Sequence, residues 1–501
     1  MIFSTLTERV LVYVLALLLL RLLTCLFDSF RTREWLFLIA SYLFYLSWGP
    51  WFLAVLIIST LVNYALGIFL RRRVIPGRLW LGITFNLLFL SIFKYLPLLG
   101  AVSAQHQALA RLSHIVLPVG MSFWTFQAIS YLLDLYREEE LNPSLLEFCL
   151  YMAFWPTVLS GPICRLPSML PQFRQPKVLS WDDIGNGTQR MLIGVWMMAM
   201  SQIMASGLAP GQGVDAGFDR AARLLGGLDV WCLVIGYGFQ LFFNFAGYSH
   251  IVIGAARIFS IRLHENFSRP YLSPTPSVFW TRWHMSLSFW IRDYVFFPLA
   301  TLRREMWWRN LTLVIAMFAF GLWHKGNVLY MMWGTYHGFL LVLHRQWQQL
   351  QLRGNIRLPK HLSAPLSWII TFAAVSLGWI FFRAESMDQA ATMFRTVLSP
   401  ARYSHIALPA NFYRLSLLAM IGNFAVIGIG AFLDRFAAAG EPAESAGGVV
   451  NSLPASNGVL AIFARDRWMW ALPVVVVLSL YVLLILNPQG PLVGPMMYQV
   501  F

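Results

Sequence analysis

Residues 279–299 read FWTRWHMSLSFWIRDYVFFPL, and residues 321–338 read GLWHKGNVLYMMWGTYHG. Between them lie a short basic interval with Arg303, Arg304 and Arg309 and an apolar run that starts at Leu311. Three histidines, His284, His324 and His337, thus stand among tryptophans, glycines and apolar residues. What they cost depends on the solvent around them, and composition indicates which it is. Of 501 residues, 58% are apolar, 16% aromatic and only 12% charged, with a mean hydropathy of +0.62. Apolar runs of about 20 residues recur, the length a bilayer core demands. The chain reads as an all-α polytopic membrane protein, in which buried titratable groups are expensive enough to need a reason.

The formal charge of +15 then reads as Lys and Arg enrichment in cytoplasmic loops. No long basic run interleaves with aromatics in a soluble stretch, so nucleic acid is not expected as a partner. Cys25, Cys149, Cys164 and Cys232 lie far apart, without CxxC spacing or a histidine at metal distance, and read as inert thiols; no metal site is expected. The run from Leu11 to Phe27 lacks a small-residue cleavage site and reads as an uncleaved first helix.

Spans are expected near residues 10–27, 35–48, 51–70, 79–99, 115–135, 146–163, 187–208, 230–259, 366–382, 413–434 and 470–486. Arg31 and Arg33, Arg71 to Arg73, and Arg137 follow the first, third and fifth of these, which predicts cytoplasmic loops there and an outer N-terminus. Arg71 to Arg73 would also suit an anionic lipid head group. Pro156, Gly161, Pro162, Pro167, Pro171 and Pro176 predict broken or re-entrant helices. Gly236, Gly238, Gly247 and Gly254 predict close helix approach, and residues 437–456 read as a flexible loop.

Treated as one helix at about 100° per residue, residues 280–299 place His284, Ser288 and Arg292 on one stripe and Arg282, Ser286 and Asp293 nearly opposite. A helix polar on both sides cannot face lipid, so enclosure or a membrane boundary is expected. In an unbroken helix His324 and His337 would lie about 20 Å apart along the axis and point in different directions. A break at Gly326-Asn327 would instead leave His324 at a helix end, where a polar cavity can be built. That makes His324 the better candidate for chemistry. Each histidine has a plainer alternative as a hydrogen-bonded packing residue. There is no Walker A loop, no GxSxG elbow and no complete HExxH, because Ser268 follows His264-Glu265-Asn266-Phe267. Glycine and proline placement shows no inverted repeat, which weakens a transporter reading.

Several pieces in order resemble the membrane-bound O-acyltransferase family, in particular its alginate O-acetyltransferase branch. They are NFSRPYL from Asn266, RWHMSLSFWIRDY from Arg282, GLWH from Gly321 and WGTYHG from Trp333. Earlier ones are LIASYLFYLSW from Leu38, LPVGMSFWTFQAISYLLDLYR from Leu117 and AFWPTVLSGPICR from Ala153. The resemblance implies a single membrane domain over residues 1–501 with its core at about 115–350, shaped as a ring of about 11 spanning helices around a central tunnel. It implies that His324 is catalytic and His284 its companion. His324 would act as general base on an acceptor hydroxyl, and His284 would polarise a thioester carbonyl or orient the donor. Arg292 or Lys325 would attract donor phosphates, with a snorkelling or loop role as the alternative for both, and His337, Ser288 and Asp293 would be in support.

The implied donor is cytosolic acetyl-CoA, a substrate, with no bound cofactor. The implied acceptor is an exported polysaccharide, reached through a periplasmic SGNH-type acyltransferase or the export machinery, from the bacterial inner membrane and its lipids. A D-alanyl transferase fed by an acyl carrier protein, and a lipid or glycan transporter, remain the alternatives. The chain departs from the branch where relatives tend to carry acidic residues and it has Asn244 and His250, and where Lys325 replaces a glycine.

Overall fold

The computed structural model describes residues 6–27, 29–97, 115–137, 141–175, 180–207, 211–220, 222–354 and 360–439. The span expected at 470–486, the connection at 101–113 and the expected loop beyond residue 439 lie outside them. Every regular element among the described residues is helical. In chain order these are α1 (Leu6–Leu26), α2 (Phe30–Leu46), α3 (Pro50–Arg72), α4 (Pro76–Lys94), α5 (Met121–Tyr136), α6 (Leu145–Ala153), α7 (Leu166–Arg174), α8 (Trp181–Ser206), α9 (Val214–Asp219) and α10 (Gly227–Ile258). They continue with α11 (Pro276–Trp280), α12 (Met285–Ile291), α13 (Phe297–Ala300), α14 (Met306–Lys325), α15 (Val328–Gly354), α16 (Lys360–Arg383), α17 (Met387–Leu398) and α18 (Ala410–Ala439).

Four of the described helices are long and apolar enough to cross a membrane: α3, α4, α10 and the part of α16 from Ser363 to Arg383. The chain is a multi-pass membrane protein. Of the four, α10 is the axis of the molecule, with 83% of its most apolar window buried, against 39% or less for the others. Its first half packs into a cluster with α14 to α17, and its second half, through Val252, Ile253 and Ala256, into a cluster with α2 to α7. Lipid is as apolar as leucine, so such helices are held by close packing more than by removal from water. The glycines serve that end. A Cβ on Gly247 would lie 2.8 Å from the Gly194 carbonyl oxygen, and one on Gly254 would lie 2.5 Å from that of Gly187, so α8 and α10 meet backbone to backbone.

Proline decides where the expected spans break. The span expected at 146–163 is helical only as α6, which stops at Ala153; residues 154–165 run as turns and extended chain past Pro156 and Pro162. The span expected from 115 starts at Met121, because Gly120 takes a left-handed φ of 80°. A Cβ there would lie 1.9 Å from the Val158 carbonyl oxygen, so the entry to α5 is pressed against the broken segment. Arg31 and Arg33 lie in the first turn of α2, with Arg33 buried. The amphipathic α17, capped by the Ser386 hydroxyl accepting from the Gln389 N–H at 3.1 Å, had no counterpart among the expected spans.

The start of α10 is fastened to the chain before α18 by one buried carboxylate. Asp229 accepts the N–H groups of Gly226 (2.6 Å), Ala407 (3.0 Å) and Leu408 (3.1 Å), and the Tyr413 hydroxyl as well. Asp229→Ala leaves these donors unsatisfied, with an expected loss of about 3 kcal/mol. Thermal unfolding of the detergent-solubilised variant checks this; an unchanged transition would mean the carboxylate is not the fastener.

Candidate active site

The expected break at Gly326-Asn327 is present, and its chemistry is local. Gly326 adopts φ 67° and donates its N–H to the Leu322 carbonyl at 3.0 Å, the left-handed cap that ends many helices. The Asn327 side chain accepts the Tyr330 N–H at 3.0 Å and starts α15. The two helices fold back on each other with almost no gap. A Cβ on Gly321 would lie 2.1 Å from the Tyr330 carbonyl oxygen, and one on Gly334 would lie 2.1 Å from that of Met317.

This hairpin places His324 one residue from the end of α14, 1% exposed, inside a box of aromatic rings. Ring centroids lie at 4.7 Å (Trp323), 5.1 Å (Phe382), 5.2 Å (Phe320), 5.3 Å (Trp333) and 5.8 Å (Tyr330). The fold-back also corrects the spacing expected of an unbroken helix. His337 packs at 5.2 Å on the same Trp333 ring that touches His324, and it leans on Trp280 at 5.2 Å. No hydrogen-bond partner for either ring nitrogen of His337 is present among the described residues, so it acts as a packing piece of the box.

His284 arrives by a different route. The helix expected over 280–299 is interrupted: α11 ends at Trp280, His284 takes a left-handed φ of 43°, and α12 starts at Met285. A non-glycine residue rarely adopts that conformation, and here Asn266 holds it. The Asn266 carbonyl accepts the Met285 N–H at 2.8 Å, and its side-chain oxygen accepts the Ser286 N–H at 3.2 Å and hydroxyl at 2.8 Å. The same oxygen lies 3.2 Å from His284 Nδ1. An amide oxygen accepts only, so Nδ1 carries the proton, and the neutral ring keeps its lone pair on Nε2. Polarising a carbonyl would need a proton on Nε2 too, so the neutral ring suits orienting a donor group and not the carbonyl role. Asn266 stands in the NFSRPYL stretch, but sequence alone gave it no task.

Phe123 of α5 links His284 to Trp323, the neighbour of His324, with its ring 6.3 Å from that of His284 and 6.1 Å from that of Trp323. Phe245 of α10 closes on His284 edge-on at 4.6 Å. The three histidines therefore share one aromatic core, whose side toward α4 holds Lys94, another buried residue that sequence reading passed over.

The remaining candidates fall elsewhere. Asp293 is bound by Arg165 at 2.7 Å and Arg292 at 2.7 Å, and its carbonyl accepts from Arg137 at 2.8 Å, a charge cluster two turns of chain beyond His284. It begins a wide π-turn over Arg292–Phe296. The Ser288 hydroxyl donates to the Trp283 carbonyl at 2.8 Å. Ser288 and Arg292 line one cavity of about 250 Å³ that reaches Trp280 and Phe320, the rings packed on His337 and His324, but His284, which the expected stripe set beside them, is not on that wall because it stands outside the helix. Lys325, next to His324 at the turn of the hairpin, leans over Tyr330 at 5.8 Å.

Comparison with known proteins gives the family. The profile of the membrane-bound O-acyltransferase (MBOAT) family matches residues 37–384, and the chain belongs to that family. It is 34% identical over 382 residues to the probable alginate O-acetylase of Pseudomonas aeruginosa, covering 74% of this chain and 70% of that one. It is 31% identical over 397 residues to a peptidoglycan O-acetyltransferase of Helicobacter pylori, covering 72% and 73%. A teichoic acid D-alanyltransferase of Streptococcus thermophilus matches at 32% over 289 residues, covering 53% and 68%. The chain is thus an acyltransferase, with O-acetyltransferases among its relatives.

Proposed function

We propose that the chain moves an acetyl group from cytosolic acetyl-CoA toward hydroxyls of an exported polysaccharide, working with a periplasmic acyltransferase of SGNH type from the bacterial inner membrane. The observation that carries the reading is His324 at a helix end, boxed by aromatic rings and linked through Trp323 and Phe123 to His284, whose Nδ1 proton Asn266 fixes. In this reading the helices close as a ring around a tunnel, entered by the donor from the cytoplasm and by the acceptor from outside. The arginines after α3 and before α14 favour that orientation, with the N-terminus facing out.

His324 takes the proton of the acceptor hydroxyl as its oxygen bonds to the thioester carbonyl carbon. The tetrahedral adduct then collapses by breaking the carbon–sulfur bond, and His324 returns the proton to the departing thiolate. His284 orients the donor through Nε2. Arg292 and Lys325 draw in donor phosphates, and Ser288, Asp293 and His337 hold the surroundings in place. Exclusion of water by the aromatic box keeps the thioester from being spent on hydrolysis.

Acetyl-CoA labelled in the acetyl group, supplied to nanodiscs holding the full chain, tests the reading. Acetyl release or transfer that needs the protein is the expected result. Label that moves only when D-alanyl carrier protein is supplied would favour the D-alanyl reading, and the absence of any covalent product would favour a transporter.

A further inference from the structure

The last turn of α14 leaves carbonyl oxygens without intrahelical partners, a cost that grows inside a membrane. One of them, on Trp323, and the Leu322 carbonyl, which already accepts the Gly326 N–H, are met from the end of α4, more than 220 residues away in sequence. The Trp323 carbonyl accepts from the Lys94 ammonium, which also stands 4.9 Å over the Trp323 ring, and the Leu322 carbonyl accepts the Tyr95 hydroxyl at 3.1 Å. The Tyr95 ring lies against the turn itself, where a Cβ on Gly326 would come within 2.6 Å of it.

The residue held next is His324. Lys94 is only 9% exposed, and burying an ammonium at membrane depth is costly unless it is paired. Placing it on the carbonyl that precedes the histidine is a strong device for fixing where that ring sits, because a cation suits the negative end of a helix and a charge-assisted hydrogen bond is directional. We infer that Lys94 and Tyr95 are positioning residues that clamp the end of α14 and set His324 for proton transfer. This rests on the reading of His324 as the base; neither residue is assigned contact with substrate.

The test compares Lys94→Met, Lys94→Arg and Tyr95→Phe in nanodiscs holding the full chain, by kcat and KM for acetyl-CoA and by amide hydrogen exchange over residues 322–330. Lys94→Met is expected to lower kcat about 10-fold or more with KM changed less than about 3-fold, since a charge-assisted bond is lost and the donor site is not touched. Lys94→Arg is expected to recover most of that loss. Tyr95→Phe, which removes one neutral bond, is expected to cost about 3- to 10-fold in kcat. Exchange over 322–330 should quicken in Lys94→Met while other helices keep their protection.

Unchanged kcat in Lys94→Met, a loss carried by KM, or an arginine variant as slow as the methionine one would overturn the clamp. Should Lys94→Met fail to fold, Tyr95→Phe and Lys94→Arg decide: wild-type kcat in Tyr95→Phe, or an arginine variant more than about 10-fold slow, would overturn it. Hydrogen exchange needs no donor. A wild-type protein that leaves acetyl-CoA untouched refutes the proposed donor, whereas unaltered exchange in the variants refutes the clamp.

Discussion

An alanine at position 324 is expected to lower acetyl turnover at least about 10²-fold, the range a general base supplies, with KM for the donor little changed. The surroundings make this a clean test. His324 contributes only its own ring to a box whose other walls come from Trp323, Phe320, Trp333, Tyr330 and Phe382, so truncation removes the proton carrier and leaves the walls in place. A buried ring traded for a methyl group also opens a cavity, which is expected to cost about 2 to 4 kcal/mol of stability. The readouts must therefore be separated: labelled acetyl transfer for the chemistry, thermal unfolding for the fold. His337→Ala is the internal control. It deletes an equal ring from the same core, so it should show a similar loss of stability with much smaller loss of kcat. Equal losses of kcat in the two variants would reduce His324 to a packing residue.

Asn266→Ala is expected to be the other severe variant, although its side chain is assigned no contact with either substrate. Its amide oxygen accepts from Ser286 twice and sits 3.2 Å from His284 Nδ1, while its nitrogen donates to the Ser249 hydroxyl at 3.3 Å. Removing it leaves the Ser286 N–H without that acceptor and lets the imidazole choose either tautomer, in a segment held at an uncommon φ. About 2 to 4 kcal/mol of stability and about 10²-fold in kcat are expected to go. Asn266→Asp separates the two effects, because a carboxylate accepts the same hydrogen bonds but has no donor for Ser249. It should recover the tautomer and part of the activity. Activity in Asn266→Ala within about 3-fold of wild type would show that the histidine is oriented by its aromatic neighbours alone.

Much of this site could be read in the sequence, for reasons that are local. Gly326, free of a Cβ, carries the left-handed cap and the Asn327 side chain the following helix start, so the break that leaves His324 at a helix end is foreseeable. Pro156 and Pro162 likewise announce broken chain, whereas Pro167 and Pro171 are carried inside the helix α7. A regular helical period does not hold everywhere. Residues 280–299 are not one helix, because His284 turns the chain left-handed and Arg292–Phe296 form a wide turn, and neither is visible in a pattern of apolar residues. Contacts that depend on how distant helices meet were out of reach: Phe123 linking His284 to Trp323, Trp333 serving both His324 and His337, and Asn266 as the common acceptor. Lys94 was nearer to hand. A lysine closing an apolar span is commonly a membrane-edge anchor, but its interior placement here marks it as part of the core.

The wide turn over Arg292–Phe296 bears on chain length as well as side chains. Such a turn accommodates one residue more than a regular helix would over the same rise. Deleting a single residue there would let the backbone revert to an even winding with the helices on either side still in register. Inserting one into α12 between Ser288 and Arg292 would instead turn the two apart by about 100°, and they would no longer present a shared wall to the cavity beside Phe320. A change of length is thus absorbed at the wide turn and damaging in the regular winding before it.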